Sequence, residues 1–174
     1  AAISAVWGYV GAEEIRAVAH EFQGVEHRIE TVRELDGVRY YNDSIASSPT
    51  RTIAGLHSFD RRVILIAGGY DKHIPFDALG EEIVTHVKLL VLCGATAGKI
   101  RAAVEAAPDY RPGYPEILDV TPFQKAVETA RDRAAAGSDP GSGAPLCSGL
   151  RGRDLAAHRR RCPQLSRHLP RGRR

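Results

Sequence analysis

The sequence contains no methionine and no run of 18 or more apolar residues. A natural reading frame begins with methionine, so we expect that the front of a longer protein is missing. A helix that spans a membrane needs about 20 mainly apolar residues, and this chain has no such stretch. The first residues also lack the basic, apolar and small-residue regions of a secretion signal. We therefore expect a soluble cytoplasmic protein with no membrane contact.

Cysteine is scarce, with only Cys93, Cys147 and Cys162 in the chain. Their number is odd, their spacing is wide, and none lies in a CxxC or Cys/His pattern. These features argue against a disulfide framework and against a cysteine-based zinc site. Cys93 follows an apolar run, which predicts a buried strand residue. We predict no metal ligands in the chain.

Positive charge is concentrated at one end of the chain. Residues 137–174 hold nine arginines, two acidic residues and no lysine, whereas the residues before them are net acidic. This tail is rich in Gly, Pro and Ser and has no sustained helical or strand period, so we expect it to be largely disordered. An arginine-rich, lysine-free tail is also what a shifted reading frame in GC-rich DNA produces, and reading that DNA in all three frames tests this hypothesis.

A basic tail opens a second class of function, that of a nucleic-acid-binding protein. Nine arginines bind polyanions by releasing counterions. Against this reading, residues 137–174 contain no aromatic side chain for base stacking and no recognisable binding fold. We expect no nucleic-acid partner, and salt-sensitive binding that is lost when the tail is deleted would indicate the contrary.

Strand-like and helix-like segments alternate between residues 25 and 136. A hairpin is predicted where Asp36 and Gly37 separate two alternating runs. Apolar runs of the kind buried in parallel sheets follow in VILIAGG, KLLVLCG and EILDV, each followed by a helical pattern. A further helix begins at Pro49, with Ser48 able to cap it. The order predicts an α/β fold, a Rossmann-like open and mainly parallel sheet with flanking helices.

Three regions are therefore predicted. Residues 1–24 form two short helices that pack on something else. Residues 25–136 form the sheet domain, and residues 137–174 form the basic tail.

Polar residues at the strand ends are the candidates for chemistry. In an open α/β sheet the ligand crevice lies beyond the carboxyl ends of the strands. Asn42 and Asp43 end one strand, where a carboxylate can accept hydrogen bonds from a ribose or an amino group, although a turn cap is an equal alternative. Lys72 lies in a glycine-rich loop, where an ammonium can pair with a substrate carboxylate, although most loop lysines are only solvated.

Common nucleotide motifs do not fit. The segment GATAGKI, Gly94 to Ile100, has three residues between its first glycine and the Gly-Lys pair, where a phosphate-binding loop has four followed by Lys and Ser or Thr. We interpret it as an ordinary strand-to-helix turn. No GxGxxG follows any strand, so nicotinamide or flavin binding has little support.

Four segments, taken in order, resemble the C-terminal domain of the Mur ligases: GVEHRIE, YYNDSIASSPTRTIAGL, VILIAGGYDKHIPFDAL and VKLLVLCGATAGKIRAAV. The resemblance covers roughly residues 1–136 and implies that residues 1–24 are the terminal helices of the central ATPase domain and a linker. The His-Arg pair and the Asp-Ser pair are shared by Mur ligases and folylpolyglutamate synthases, whereas GGYDKHIPF is similar to the loop of the members that add D-glutamate. Another Mur ligase or a folylpolyglutamate synthase is the alternative, and the Lys72 loop discriminates between them.

The resemblance implies an ATP-dependent and Mg²⁺-dependent amide ligase of peptidoglycan biosynthesis, with UDP-N-acetylmuramoyl-L-alanine and D-glutamate as substrates. It implies a nucleotide site at Arg28 and Asp43, with His27 and Asn42 as companions. It further implies that Lys72 pairs with a carboxylate of D-glutamate and that Ser47, where relatives often have threonine, donates a hydroxyl to it.

The chain departs from the family at both ends. The phosphate loop, the magnesium ligands and the domain that recognises the UDP-sugar would precede residue 1, so we expect no catalytic residue and no isolated activity in this fragment. The family's last strand and its Ser-Pro-Ala-Cys-like loop would follow Gly137, and the sequence there differs. We therefore expect a sheet truncated at both ends, and a protein that is monomeric when full length.

Overall fold

A computed structural model describes residues 2–22, 24–35, 37–136 and 145–148 of the 174-residue chain. Helices and strands alternate through most of it, as the sequence predicts. The helices are α1 (Ala2–Val6), α2 (Ala12–Glu21), α3 (Pro49–Leu56), α4 (Asp77–His86), α5 (Ala97–Glu105) and α6 (Phe123–Ala136). The strands are β1 (Glu30–Leu35), β2 (Val38–Asp43), β3 (Val63–Gly68), β4 (Val87–Cys93), β5 (Glu116–Asp119) and β6 (Pro145–Ser148).

The strands form one sheet with the order β1-β2-β6-β3-β4-β5. β1 and β2 are the predicted antiparallel hairpin, and all other neighbours are parallel. The prediction of an open, mainly parallel α/β sheet is therefore confirmed. Because β2 to β6 run in the same direction, their carboxyl ends meet at one edge, which we call the carboxyl edge.

The core lies on both faces of the sheet. Alternate residues of β3 and β4 point to opposite faces, as the period of a strand requires. One face packs on helices α3, α4 and α5, through side chains such as Leu56, Ile83 and Val104. The other face packs on α6, through the small residues Ala126 and Ala130. Helices thus cover both faces, which is why β3 and β4 read as continuous apolar runs.

One prediction about the tail is wrong. We expected no strand beyond Gly137, yet Pro145–Ser148 forms β6 in the interior of the sheet. It pairs with β2 on one side and with β3 on the other. A four-residue strand satisfies backbone groups of both neighbours, which would otherwise be unpaired at an open gap. The other residues of 137–174 lie outside the described residues, so their predicted disorder stays a prediction.

The segment that contains the first two helices carries exposed apolar side chains. α2 has no buried residue, and Trp7, Tyr9, Val18 and Phe22 are each at least 64% exposed. The predicted helical pieces are confirmed, and the exposed side chains agree with the expectation that they pack on something else. Their assignment to a preceding domain stays a prediction. Within the described residues, no helix has the length and apolar character needed to cross a membrane.

Candidate functional site

The predicted site residues lie beside strand ends that are aligned at the carboxyl edge. Asp43 of β2 is in register with Ser148 of β6, and Gly68 of β3 with Cys93 of β4. The turns that leave these strands therefore begin side by side. The carboxyl edge is where ligands bind in open α/β sheets.

Asn42 organises the turn that precedes β1. Its amide nitrogen lies 2.7 Å from Nδ1 of His27 and donates to Oε2 of Glu30 at 3.2 Å. Its amide oxygen accepts from the backbone N–H of Ser44 at 3.1 Å. Asn42 is 3% exposed, so these bonds satisfy an amide that is removed from water. His27 and Asn42 therefore hold the shape of the turn.

Arg28 sits at the tip of this turn between two residues in left-handed backbone conformations. His27 has φ of +62° and Ile29 has φ of +46°. A β-branched residue rarely adopts a positive φ, and such strain is found where the surrounding structure imposes it, often at functional sites. The N–H of Ile29 donates to Oδ1 of Asp43 at 3.2 Å, which holds the turn over the end of β2. The result presents an exposed guanidinium at the carboxyl edge.

Asp43 is a buried carboxylate, only 3% exposed. Burial raises its pKa, because the charged form loses hydration. The hydrogen bond from Ile29 and the charges of Arg28 and Arg51 act in the opposite direction, but they do not outweigh burial. The Asp43 carboxylate thus accepts a hydrogen bond within the turn. The charges of Arg28 and Arg51 partly offset the cost of burying its charged form.

A cavity of about 180 Å³ opens beside this turn, between the start of α3 and the loop after β3. Ser47 and Ser48 line one wall, and Lys72 and Tyr70 line the other. Ser48 is the N-cap residue of α3, yet its side chain makes no capping hydrogen bond, contrary to the sequence prediction. The cavity therefore combines an ammonium, hydroxyls and the positive end of a helix, which together suit a carboxylate.

Glycines allow the loops after β3 and β4 to touch. A Cβ at Gly68 would lie 1.5 Å from the carbonyl oxygen of Cys93, and Gly68 has φ of +140°. A Cβ at Gly94 would lie 2.8 Å from the nitrogen of Gly69. The N–H of Thr96 donates to the carbonyl of Gly69 at 3.3 Å. Only glycine permits this contact, so the loop that bears Lys72 is fixed against the turn before α5.

An ion pair strengthens the same contact. Nζ of Lys99 lies 2.6 Å from Oδ2 of Asp71, and the N–H of His73 donates to Oδ1 of Asp71 at 2.8 Å. The hydrogen bond from Lys99 is the main cause of a lowered pKa of Asp71, and the bond from His73 adds to it. The segment Gly94 to Ile100 is the predicted strand-to-helix turn, with α5 beginning at Ala97.

The six predicted site residues fall into two groups at one edge. His27, Arg28, Asn42 and Asp43 form the turn at the end of β2, while Ser47 and Lys72 line the cavity. Ser44, the neighbour of Asp43, also lines that cavity, so the two groups adjoin. The sequence did not single out Glu30, Asp71 or Lys99. Glu30 bonds to Asn42 and Asp71 pairs with Lys99, and both partners are distant along the chain.

Known proteins share this fold and sequence. The family model of the Mur ligase glutamate ligase domain matches residues 27–139. The UDP-N-acetylmuramoylalanine--D-glutamate ligase of Clostridium botulinum strain Okra is 51% identical over 137 residues, which is 79% of this chain and 30% of that protein. The enzyme of the same name from Clostridium kluyveri strain DSM 555 is 49% identical over 148 residues, or 85% of this chain and 32% of that protein.

A solved structure supports the fold alone. Folylpolyglutamate synthase of Mycobacterium tuberculosis, complexed with ADP and AMPPCP, aligns with a TM-score of 0.57 at 19% identity and covers 92% of this chain and 36% of that one. The chain spans about 30% of the length of the curated relatives that it matches. By the match over residues 27–139, the chain belongs to the Mur ligase family and carries its glutamate ligase domain.

Proposed function

We propose that this chain is the C-terminal part of an ATP-dependent amide ligase that adds D-glutamate to UDP-N-acetylmuramoyl-L-alanine in peptidoglycan biosynthesis. The relatives at about 50% identity carry the name of that ligase. The observation that carries the proposal is that Lys72 and Ser47 line one cavity at the carboxyl edge.

The cavity suits an amino acid with an extra carboxylate. Lys72 supplies a positive charge, and no ion pair occupies it among the residues that the structure describes. Ser47 supplies a hydroxyl, and α3 begins at Pro49 with its positive end toward the cavity. These groups could bind the two carboxylates of glutamate. The side-chain ammonium of L-lysine would instead be repelled by the ammonium of Lys72.

The turn at Arg28 suits a nucleotide. Its guanidinium is exposed and always charged, which fits a phosphate or the negative edge of a nucleotide. Asp43 is buried beneath it and already accepts from Ile29, so only part of its carboxylate is open to a ribose or adenine. We propose that Arg28 contacts ATP directly, and that His27 and Asn42 act by holding the turn.

The roles of these residues in the reaction are to bind and to orient. ATP and Mg²⁺ would be held mainly by the upstream domains, where transfer of a phosphoryl group from ATP to the L-alanyl carboxylate would give an acyl phosphate and ADP. Attack of the D-glutamate amine on the acyl carbon would then form the amide and release phosphate. Lys72 and Ser47 hold D-glutamate by a carboxylate so that its amine faces the activated acyl group. Fixing two reactants in this way removes an entropic cost from the step that forms the amide. We assign the magnesium ligands of this scheme to the upstream domains, and we propose that the complete protein works as a monomer in the cytoplasm.

A chimera tests the proposal. Residues 25–136 replace the matching segment of the Clostridium botulinum relative, which keeps its own upstream domains and its own C-terminus. ADP release is measured with UDP-N-acetylmuramoyl-L-alanine and, in turn, D-glutamate, L-lysine, meso-diaminopimelate or L-alanine. We expect turnover with D-glutamate alone. Turnover with another amino acid would assign the domain to a different Mur ligase, and a folded chimera inactive with all four would reject the proposal.

A further inference from the structure

A second cluster of polar side chains lies away from the carboxyl edge. His57 follows the last residue of α3, and Glu82 and His86 lie one turn apart on α4. Both helices return toward the amino ends of β3 and β4, since His57 precedes β3 and His86 directly precedes Val87 of β4. The cluster is therefore at the opposite edge of the sheet from Lys72.

Both histidines converge on one carboxylate oxygen. Nε2 of His57 lies 2.7 Å from Oε2 of Glu82, and Nε2 of His86 lies 3.3 Å from the same atom. The ring centroids of the two histidines are 5.1 Å apart. One ligand atom from each residue lies within 4.8 Å of the others, so the three atoms surround a common point.

These spacings are close to those of a tetrahedral metal centre. Zinc–nitrogen and zinc–oxygen bonds of about 2.0–2.2 Å place neighbouring ligand atoms roughly 3.3 Å apart. The separation of 3.3 Å between His86 and Glu82 matches that value, whereas the 2.7 Å between His57 and Glu82 is shorter and would lengthen on a small outward rotation of the exposed His57 side chain. Glu82 and His86 are four residues apart on one helix, which aims both side chains at the same side.

The donor set selects the class of metal. Two imidazole nitrogens and one carboxylate oxygen suit zinc and its neighbours in the first transition row, whereas Mg²⁺ and Ca²⁺ prefer sites made of oxygen alone. The three side chains border a cavity of about 420 Å³ that Asp109 also lines. The cavity leaves room for a water molecule or a further carboxylate in the fourth position.

We propose that His57, Glu82 and His86 form a binding site for Zn²⁺ that braces the end of α3 against α4. The site is distinct from the ligase cavity and from any Mg²⁺ that accompanies ATP, and it does not depend on the proposed ligase activity. Zinc would couple two helices whose packed faces cover one side of the sheet. Sequence alone does not reveal it, because His57 is 25 residues from Glu82.

Metal titration of the complete 174-residue chain, stripped with a chelator, tests the proposal. Zn²⁺ binding is measured by calorimetry, and Co²⁺ is used as a visible probe of geometry. We expect one equivalent of Zn²⁺, a Co²⁺ spectrum with intense tetrahedral bands and no thiolate charge-transfer band, and a rise in the melting temperature with Zn²⁺. A thiolate band would mean that cysteine binds the metal, and this outcome would overturn the proposal.

Variants separate the site from other histidines. His57→Gln and His86→Gln keep a hydrogen-bond donor for Glu82 but lose the imidazole, so the fold is expected to persist, which circular dichroism checks. Each should weaken Zn²⁺ binding by more than about 10-fold, because losing a direct ligand should cost at least as much as losing a residue that only supports one. His20→Gln, on the exposed α2, is the matched control and should bind like the wild type. Equal affinity in all four proteins, or no binding at all, would reject the site and leave only ion pairs.

Discussion

Lys99 and Asp71 join two loops of the carboxyl edge, with Nζ and Oδ2 only 2.6 Å apart. Asp71 immediately precedes Lys72, so the ion pair fixes the backbone that bears the proposed glutamate-binding ammonium. The contact between Gly69 and Thr96 runs alongside it. The loop that bears Lys72 is therefore held in place by the turn before α5 and the start of α5, as well as by its own sequence.

Removing this partner should change how Asp71 titrates. In Lys99→Gln the pKa of Asp71 should rise toward its usual 3.8, because its largest stabilising hydrogen bond is lost. Since the folded pKa is lowered in the wild type, the pair's contribution to stability is full above that usual value and is lost as pH falls through the folded pKa. Carboxyl NMR titration measures the shift, with Lys125→Gln as the control. An unchanged Asp71 titration would show that the pair does not form in solution.

Asp43 should show the opposite pH dependence. Burial raises its folded pKa, so its favourable contribution is present below the usual 3.8 and is lost as pH rises through the folded pKa. Asp43→Asn keeps an oxygen acceptor for Ile29 but carries no charge. The free energy of unfolding of this variant, relative to the wild type, should therefore increase between pH 3 and pH 7. Urea denaturation at several pH values measures it, and a difference independent of pH would contradict the burial of a charge at this position.

The parts of the fold that were predictable are those with local signals. The hairpin at Gly37 and the apolar runs of β3 and β4 follow from periodicity within a few residues. Strand β6 was not predictable, because Pro145–Ser148 is short and lies among glycines and prolines. Its place is decided by β2, which ends about 100 residues earlier in the chain, and by β3, which ends about 75 residues earlier.

The candidate site divides in the same way. Asp43 and Lys72 were identifiable because Asp43 ends a strand, Lys72 lies in the loop after another, and the carboxyl ends of parallel strands lie at one edge of the sheet. The network around Asn42 was not identifiable as such, since spacing alone leaves a ligand-binding amide and a turn-holding amide equally plausible. Only the bonds to His27, Glu30 and Ser44 distinguish them.

Gly68 should tolerate no side chain. In Gly68→Ala the new Cβ would overlap the carbonyl of Cys93 at 1.5 Å, and the backbone at φ of +140° also disfavours alanine. We expect a loss of at least about 3 kcal/mol in the free energy of unfolding, as for other severe strains in a packed interior. Gly98→Ala is the control, because no atom lies within 4 Å of its Cβ. It should stay within about 1 kcal/mol of the wild type and on the stabilising side.

Deleting β6 should weaken the sheet. A chain that ends at Ala136 lacks the strand between β2 and β3, so the hairpin loses its backbone pairing with the rest of the sheet and keeps only side-chain contacts such as that of Tyr41 with Phe59. We expect a loss of at least about 2 kcal/mol, which lowers the melting temperature by roughly 6–10 °C in a domain of this size.

A chain that ends at Ser148 is the matched control for that deletion, since it loses all nine arginines of the tail but keeps β6. Amides of β2 should exchange faster in the shorter chain and normally in the longer one. If the two truncated chains melt together at the wild-type temperature, β6 does not contribute to the fold.

Lys72 and Ser47 should affect the requirement for D-glutamate in the chimera. A charge-assisted bond to a carboxylate contributes about 1.5–3 kcal/mol, so Lys72→Ala should raise KM for D-glutamate by roughly 10- to 150-fold. Ser47→Ala removes a neutral hydrogen bond of about 1 kcal/mol and should raise it about fivefold, whereas Ser47→Thr keeps the hydroxyl and should change it little.

Lys125→Ala, on the exposed face of α6, is the control for loss of a positive charge. KM for the UDP-sugar should stay constant in all four variants, because the residues proposed to recognise it are not in this domain. If Lys72→Ala left KM for D-glutamate unchanged while the protein stayed folded, the cavity beside α3 would not be the D-glutamate site.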